Sequence, residues 1–189
     1  MDTAVLDACV LFRGGVRDFL LWVAEAGAFN PAWSDAIHAE WMRSRRDKFG
    51  DPISELDYAR LEMEKAFPGA NFDPDPEILK SAYLPDKGDV HIVATAVAAQ
   101  AKTIVTYNVR DFPDRLLIPL GFSAETPDAF CTRLFREAPV HLIEGARLHR
   151  ASLKRPSYDS AQYLDRACPG ARGQERREMF ASSDASGMR

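Results

Sequence analysis

The sequence predicts an α/β fold in which helices cover both faces of a parallel sheet. Short apolar runs of strand length alternate with longer segments whose apolar residues recur at helical spacing. The apolar runs Thr3–Leu6 and 103–106 are each followed within two residues by a polar side chain, Asp7 and Asn108. Because an open α/β sheet binds ligands at the carboxyl ends of its strands, these positions predict the functional edge.

Length and composition favour one domain with a C-terminal extension. The chain has 189 residues, and its hydrophobic share of 46% is enough for a sizeable core. It contains no apolar run of 18 residues, which excludes a transmembrane helix, and no basic N-terminal segment that would indicate a signal peptide. The cysteines Cys9, Cys131 and Cys168 are odd in number and fit no zinc motif, so we expect a cytoplasmic protein.

Charge is unevenly distributed along the chain. The net charge is −4, with the negative excess before residue 140 and a positive balance after it. Such a chain is not a generic binder of phosphate backbones. A negative main domain instead favours a carboxylate cluster that takes divalent cations.

Periodicity divides the chain into three parts. Residues 1–140 are predicted to form the main domain and residues 141–170 a helical extension. Residues 171–189 are polar and lack periodicity, so we expect a flexible tail.

Acidic residues recur at positions that the predicted sheet would bring together. Asp7 ends the first strand, and Glu40 shares the apolar face of a helix. Asp89 begins the helix that precedes strand 103–106, and Asp111 follows that strand. Hard oxygen ligands without a cysteine or histidine cluster suit Mg²⁺ or Mn²⁺. The pattern therefore predicts a metal site that serves phosphate chemistry.

Each of these positions also has an ordinary structural interpretation. Asp7 could be a turn residue, and Asp89 could complete a capping box that begins at Asp86. Asp111 could be an Asx-turn residue after Asn108. Similar structural interpretations apply to Glu40, which could pair with Arg43 or another base, to His91 as a partly buried helix residue, and to Cys9 as a packing residue.

A basic run, Arg43, Arg45, Arg46 and Lys48, continues from the helix that carries Glu40. One interpretation is a solvated helix end that the macrodipole favours. The other is a patch that contacts RNA.

Four segments together resemble PIN-domain ribonucleases. Residues 5–11 (VLDACVL) resemble the opening strand of these enzymes, and Glu40, six residues after Ser34, resembles the second acidic position. Residues 86–91 (DKGDVH) resemble the third, and residues 106–112 (TYNVRDF) the segment after the fourth strand. The resemblance covers residues 3–137, and residues 152–156 look like the extension of a VapC-type branch.

The resemblance implies a parallel sheet of about five strands and endoribonuclease activity that depends on Mg²⁺ or Mn²⁺. It implies a toxin that a small antitoxin inhibits, and a homodimer. The catalytic and metal-binding residues would be Asp7, Glu40, Asp89 and Asp111, supported by Asp86, Thr106 and Asn108.

One departure leaves alternatives open. The family usually has asparagine where this chain has Cys9, which favours, as an alternative, a module that binds RNA or a partner without cutting it. A receiver-like phosphorylation domain with Asp7 as acceptor is a further alternative, but this sequence lacks the acidic pair beside Asp7 and the later switch lysine that such a domain needs.

The dispersed histidines bear on the cleavage chemistry. Because they form no pair that could activate a 2′-hydroxyl, we expect cleavage by water, leaving a 5′-phosphate and a 3′-hydroxyl. These histidines are His38, His91, His141 and His149.

Overall fold

The computed structural model describes residues 1–81 and 84–153. These residues belong to two compact units. The first comprises Met1–Arg13 and Phe29–Thr126, and the second comprises Gly14–Ala28 and the described residues from Pro127 onward. The predicted tail, 171–189, and much of the predicted extension lie outside the described residues.

The first unit contains a parallel sheet, as the sequence predicted. Its strands are β1 (Thr3–Leu6), β2 (Asn30–Ala32), β3 (Thr103–Val105) and β4 (Ser123–Glu125), in the order β2-β1-β3-β4. The two central strands, β1 and β3, are almost entirely buried, which explains their uninterrupted apolar character.

The expected count of about five strands is wrong for the residues that the structure describes, where the sheet has four. Beyond β2, one isolated parallel bridge joins Trp33 to Asn71 and goes no further. Pro74 and Pro76 follow shortly and lack the N–H groups that would continue the ladder. By contrast, β4 (Ser-Ala-Glu) pairs although its sequence carries no apolar signal.

The described part of the chain also contains helices in both units. They are α1 (Ala8–Leu11), α2 (Gly14–Glu25), α3 (Asp35–Phe49), α4 (Ile53–Ala66), α5 (Pro76–Ser81), α6 (Val90–Ala98), α7 (Asp114–Leu117), α8 (Pro127–Glu137) and α9 (Pro139–Ser152), with 3₁₀ turns at Lys87–Asp89, Val109–Asp111 and Ile118–Leu120. None of the described helices is long and apolar enough to cross a membrane.

Helix α3 carries Glu40 and is fixed by its cap and its apolar face. The Ile37 N–H donates to the Ser34 Oγ across 3.4 Å, so Ser34 is the N-cap of this helix. Ile37 and Trp41 are fully buried, and Glu40 lies between them in sequence. The apolar face of α3 therefore determines where its carboxylate points.

A polar network joins α3 to α4 and to Trp33, the residue after β2. The Trp41 Nε1–H donates to the His38 Nδ1 across 3.0 Å, and the His38 Nε2 lies 3.3 Å from the Glu64 Oε1. The Trp33 Nε1–H donates to the same Glu64 oxygen across 3.1 Å. These contacts tie α3 to α4 and, through Glu64, to Trp33, and so restrain its orientation.

In the second unit, α2 and α9 pack at unusually close range. A Cβ added to Gly145 on α9 would lie 2.5 Å from the Val23 Cα on α2. Gly145 therefore permits backbone contact between the two helices.

Candidate metal centre

Asp7 lies at the carboxyl end of β1, where its buried side chain caps α1. The Thr106 hydroxyl donates to its Oδ2 across 2.5 Å, and the Cys9 thiol donates to the same oxygen across 3.0 Å. The Cys9 N–H donates to Oδ1 across 3.4 Å. Although only 3% exposed, the carboxylate thus has donors for both of its oxygens.

The loop after β3 is tied to Asp7 through two of these donors. The Asn108 N–H donates to the Thr106 Oγ1 across 3.0 Å, and the Tyr107 N–H donates to the Cys9 Sγ across 3.3 Å. Residues distant in sequence therefore hold Asp7 in one orientation. Thr106 bonds Asp7 directly, and its supporting role in a metal site stays a prediction.

Asp89 ends the 3₁₀ turn Lys87–Asp89 and directly precedes α6. Asp86 caps that turn, because its Oδ1 accepts the Gly88 N–H across 2.7 Å. Asp89 makes no capping hydrogen bond of its own. The capping interpretation thus holds for Asp86, while the half-buried carboxyl of Asp89 remains available to a ligand.

The pKa of Asp89 depends on its burial and on the negative charges around it. Burial raises the pKa of the Asp89 carboxyl from 3.8 to about 6, and the negative charges of four other carboxylates act in the same direction. In decreasing order of effect these are Asp7, Asp86, Asp111 and Glu40. All the acidic positions that the sequence singled out therefore act on one carboxyl group.

Glu40 has a histidine partner on α6. The Nε2 of His91 lies 3.3 Å from the Glu40 Oε2, although outside hydrogen-bond geometry, while its Nδ1–H donates to the Gly88 carbonyl across 2.6 Å. Burial lowers the pKa of His91, but Glu40, the Gly88 carbonyl and Asp7 raise it more, so the pKa lies above 6.5. The base that the sequence left open for Glu40 is thus His91 rather than Arg43.

Asp111 and Asn108 stand at the two ends of one turn. The Asp111 N–H donates to the Asn108 carbonyl across 2.9 Å, and the 3₁₀ turn Val109–Asp111 lies between. The next residue, Phe112, is 1% exposed and anchors this turn in the core. Asn108 is exposed and Asp111 half-exposed, as expected for residues at the rim of a site.

The donor chemistry of this cluster fits a hard divalent ion. Its candidate ligands are carboxylate oxygens from β1, α3, the start of α6 and the loop after β3, all within the first unit. Among the described residues, no three Asp, Glu, His or Cys side chains already form a set that could hold a metal ion. Holding one would therefore require these side chains to draw closer.

Two features of the site escaped the sequence analysis. Cys9 was interpreted as packing, yet its thiol contacts Asp7 directly. His91 was interpreted as a helix residue, yet it accompanies Glu40. The available signal for His91 was its position two residues after Asp89, at the start of α6.

Comparison with known proteins assigns the family. The sequence profile of the PIN domain matches residues 1–110, which is more than half of the chain and contains Asp7, Glu40 and Asp89. No curated protein and no solved structure matches the chain. PIN domains are generally nucleases that bind divalent metals and act on RNA. With this match over more than half of its length and a parallel sheet in the described residues, the chain belongs to the PIN domain family.

Proposed function

We propose that this protein is an endoribonuclease that depends on Mg²⁺ or Mn²⁺. The observation that carries the proposal is the position of Asp89, a half-buried carboxyl beside four other carboxylates. Burial, and after it the charges of those carboxylates, raise its pKa to about 6. Such a cluster is costly without a compensating cation. Acidic clusters of this kind suit hard divalent ions and phosphate substrates.

The proposed ligands are Asp7, Glu40, Asp89 and Asp111. A bound divalent ion would supply an activated water and neutralise charge on the phosphate. Thr106 and Cys9 hold the Asp7 carboxylate through hydrogen bonds of 2.5 and 3.0 Å. His91 lies beside Glu40, and the pKa of its imidazole is raised because Glu40 and the Gly88 carbonyl outweigh the effect of burial.

The histidines described in the first unit do not supply the pair of imidazoles that a ribonuclease commonly uses as base and acid for attack by the 2′-hydroxyl. In the described part of the first unit, His38 is buried and its Nδ1 accepts the Trp41 Nε1–H, while His91 is engaged by Gly88 and Glu40. We therefore expect a 5′-phosphate and a 3′-hydroxyl as products.

The experiment is cleavage of a panel of structured RNAs with Mn²⁺, with Mg²⁺ and with EDTA. We expect wild-type protein to cut only with metal, and Asp7→Asn and Asp89→Asn to lose at least about a hundredfold in rate. End-group analysis then identifies the products. Full activity in EDTA, or a cyclic-phosphate end, would show that this chemistry is wrong.

We further infer a VapC-type toxin that acts in the cytoplasm as a homodimer and is inhibited by a small antitoxin. The resemblance of residues 152–156 supports this inference, although most of them lie outside the described residues. Expression of wild-type protein without antitoxin should arrest growth, whereas Asp7→Asn should not. Light scattering on the purified chain tests the dimer.

A module that binds RNA without cutting it is the second candidate. It is favoured because no three potential ligands among the described residues already form a metal-binding set. An ion that binds only the folded protein should raise the melting temperature. No cleavage, together with a melting temperature that millimolar Mn²⁺ leaves unchanged, would favour this second function.

A further inference from the structure

The basic run on α3 separates into two kinds of residue. Arg45 pairs with Asp51, its Nε donating to Oδ2 across 2.6 Å, and Arg46 lies 3.4 Å from Asp47. Lys48 has no carboxylate within ion-pair distance among the described residues. The structural and the RNA-contacting interpretations thus apply to different members of the run.

Lys48 lines a pocket that adjoins the acidic cluster. The pocket has a volume of about 310 Å³ and lies within the first unit. Cys9, Glu40 and Asn108 line the side nearest the proposed metal site, and Arg13, Lys48 and Tyr107 also contribute to its wall. A ligand in this pocket would therefore be adjacent to the proposed reaction centre.

The two cations of this pocket are held against aromatic rings. The Arg13 guanidinium lies 4.2 Å from the centre of the Tyr107 ring. The Lys48 Nζ lies 5.6 Å from the Phe12 ring, which itself stacks on Phe49 at 5.5 Å. Cation–π contact orders both groups without neutralising them. Within the described ranges, Arg13 likewise has no acidic partner.

We propose that this pocket is a subsite for one nucleotide of single-stranded RNA, next to the phosphate to be cut. Arg13 and Lys48 bind its phosphodiester, because uncompensated cations in a concave site attract phosphate. The acidic cluster repels the RNA backbone, so a neighbouring positive subsite offsets that repulsion where the strand enters. The proposal rests on the proposed function and names the substrate class.

The size of the pocket favours a single strand. Its volume is at the lower end of small-ligand pockets, which span roughly 300–1,000 Å³. A duplex cannot insert one nucleotide without unpairing it, whereas a flexible single strand can. Aromatic and arginine groups are also typical partners of unpaired nucleotides.

The test measures binding of a short labelled single-stranded RNA by fluorescence anisotropy. The full-length Asp89→Asn protein is the background, because this change removes a proposed metal ligand and leaves the pocket lining intact. Arg13→Gln and Lys48→Gln are compared with Arg46→Gln, which removes the same charge from α3 outside the pocket. All three side chains are exposed, so melting temperatures should stay close to that of the background.

Arg13→Gln and Lys48→Gln should each weaken RNA binding about tenfold and lower the salt dependence of log K by about 0.7. Arg46→Gln should change affinity by less than about twofold. In the otherwise wild-type enzyme, Lys48→Gln should raise KM with little change in kcat. An equal effect of all three changes, no effect of either pocket change, or equal competition by duplex RNA would overturn the subsite.

Failure of the proposed function has a different signature. If no RNA is cut by the wild-type enzyme but the two pocket variants still lose binding and Arg46→Gln does not, the subsite stands and the nuclease assignment fails. If RNA is cut normally but the three variants bind alike, the nuclease assignment stands and the subsite fails.

Discussion

The thiol of Cys9 lies 3.0 Å from the Oδ2 of Asp7 and donates a hydrogen bond to it. Burial and the charge of Asp7 raise the pKa of this thiol to about 12. At neutral pH the group therefore keeps its proton and acts as a donor, not as a thiolate ligand or nucleophile. Cysteine thus supplies a hydrogen bond to Asp7 where the family resemblance leads one to expect asparagine.

Cys9→Ala should lower the RNA-cleavage rate about tenfold, because Asp7 loses one of the donors that orient it. Cys9→Ser keeps a donor of similar size and should retain most of the activity. Cleavage rates and Mn²⁺ titrations of the two variants check this. Equal activity of Cys9→Ala and wild type would show that the contact does not position Asp7.

The same raised pKa predicts an unreactive thiol. In the folded protein at pH 8, Cys9 should be alkylated by iodoacetamide much more slowly than a free cysteine, whose pKa is about 8.5. Peptide mapping by mass spectrometry measures the rate, with the urea-unfolded protein as control. Rapid labelling of folded protein would contradict the raised pKa.

Asp89→Asn should stabilise the metal-free protein at pH 7.5 by about 1 kcal/mol, after allowance for solvent screening of this half-buried group. In the folded protein the pKa of Asp89, about 6, lies above its ordinary value of 3.8. The stability that its protonated carboxyl contributes to the wild-type protein is therefore fully present below about pH 3.8. It is lost as the pH rises through about 6.

The advantage of Asp89→Asn should therefore disappear as the pH is lowered from 7 to about 4. Urea unfolding of wild-type and variant protein in EDTA, across this pH range, measures the difference. A pH-independent difference would mean that ionisation of Asp89 is not the cause.

Glu40→Gln should lower the pKa of His91, because Glu40 is among the groups that raise it. The remaining burial of the ring favours the neutral imidazole. An NMR titration of the ring protons gives the pKa, and His141, whose Nδ1 contacts the Ala26 carbonyl in the second unit, serves as internal control. An unchanged pKa of His91 would contradict the pairing.

Gly145→Ala should destabilise the protein by about 1–3 kcal/mol or more, because the added Cβ would lie 2.5 Å from the Val23 Cα. Gly15→Ala is the matched control in the same unit. No atom lies within 4 Å of an added Cβ there, so alanine should be neutral or stabilise α2 by about 0.5–1 kcal/mol. Urea unfolding measures the change in the free energy of unfolding for both variants. Equal changes would contradict the close packing of α2 and α9.

The sequence by itself determined the parallel α/β class, the buried strands β1 and β3, and the carboxylates at their ends. These features are local: apolar runs mark the strands, helical spacing marks the buried faces, and Ser34 and Asp86 cap the turns that they precede. The PIN resemblance likewise rests on contiguous segments, and the profile match confirmed it over residues 1–110.

Only the tertiary structure decided which partners these residues have. The hydrogen bond from Thr106 to Asp7 joins residues 99 positions apart, and the contact of His91 with Glu40 joins α6 to α3. The pocket likewise combines Arg13 after α1 with Lys48 at the end of α3. Sequence periodicity indicates which face of a helix or strand is buried. Which side chains pair between two helices or strands depends on how these elements pack together.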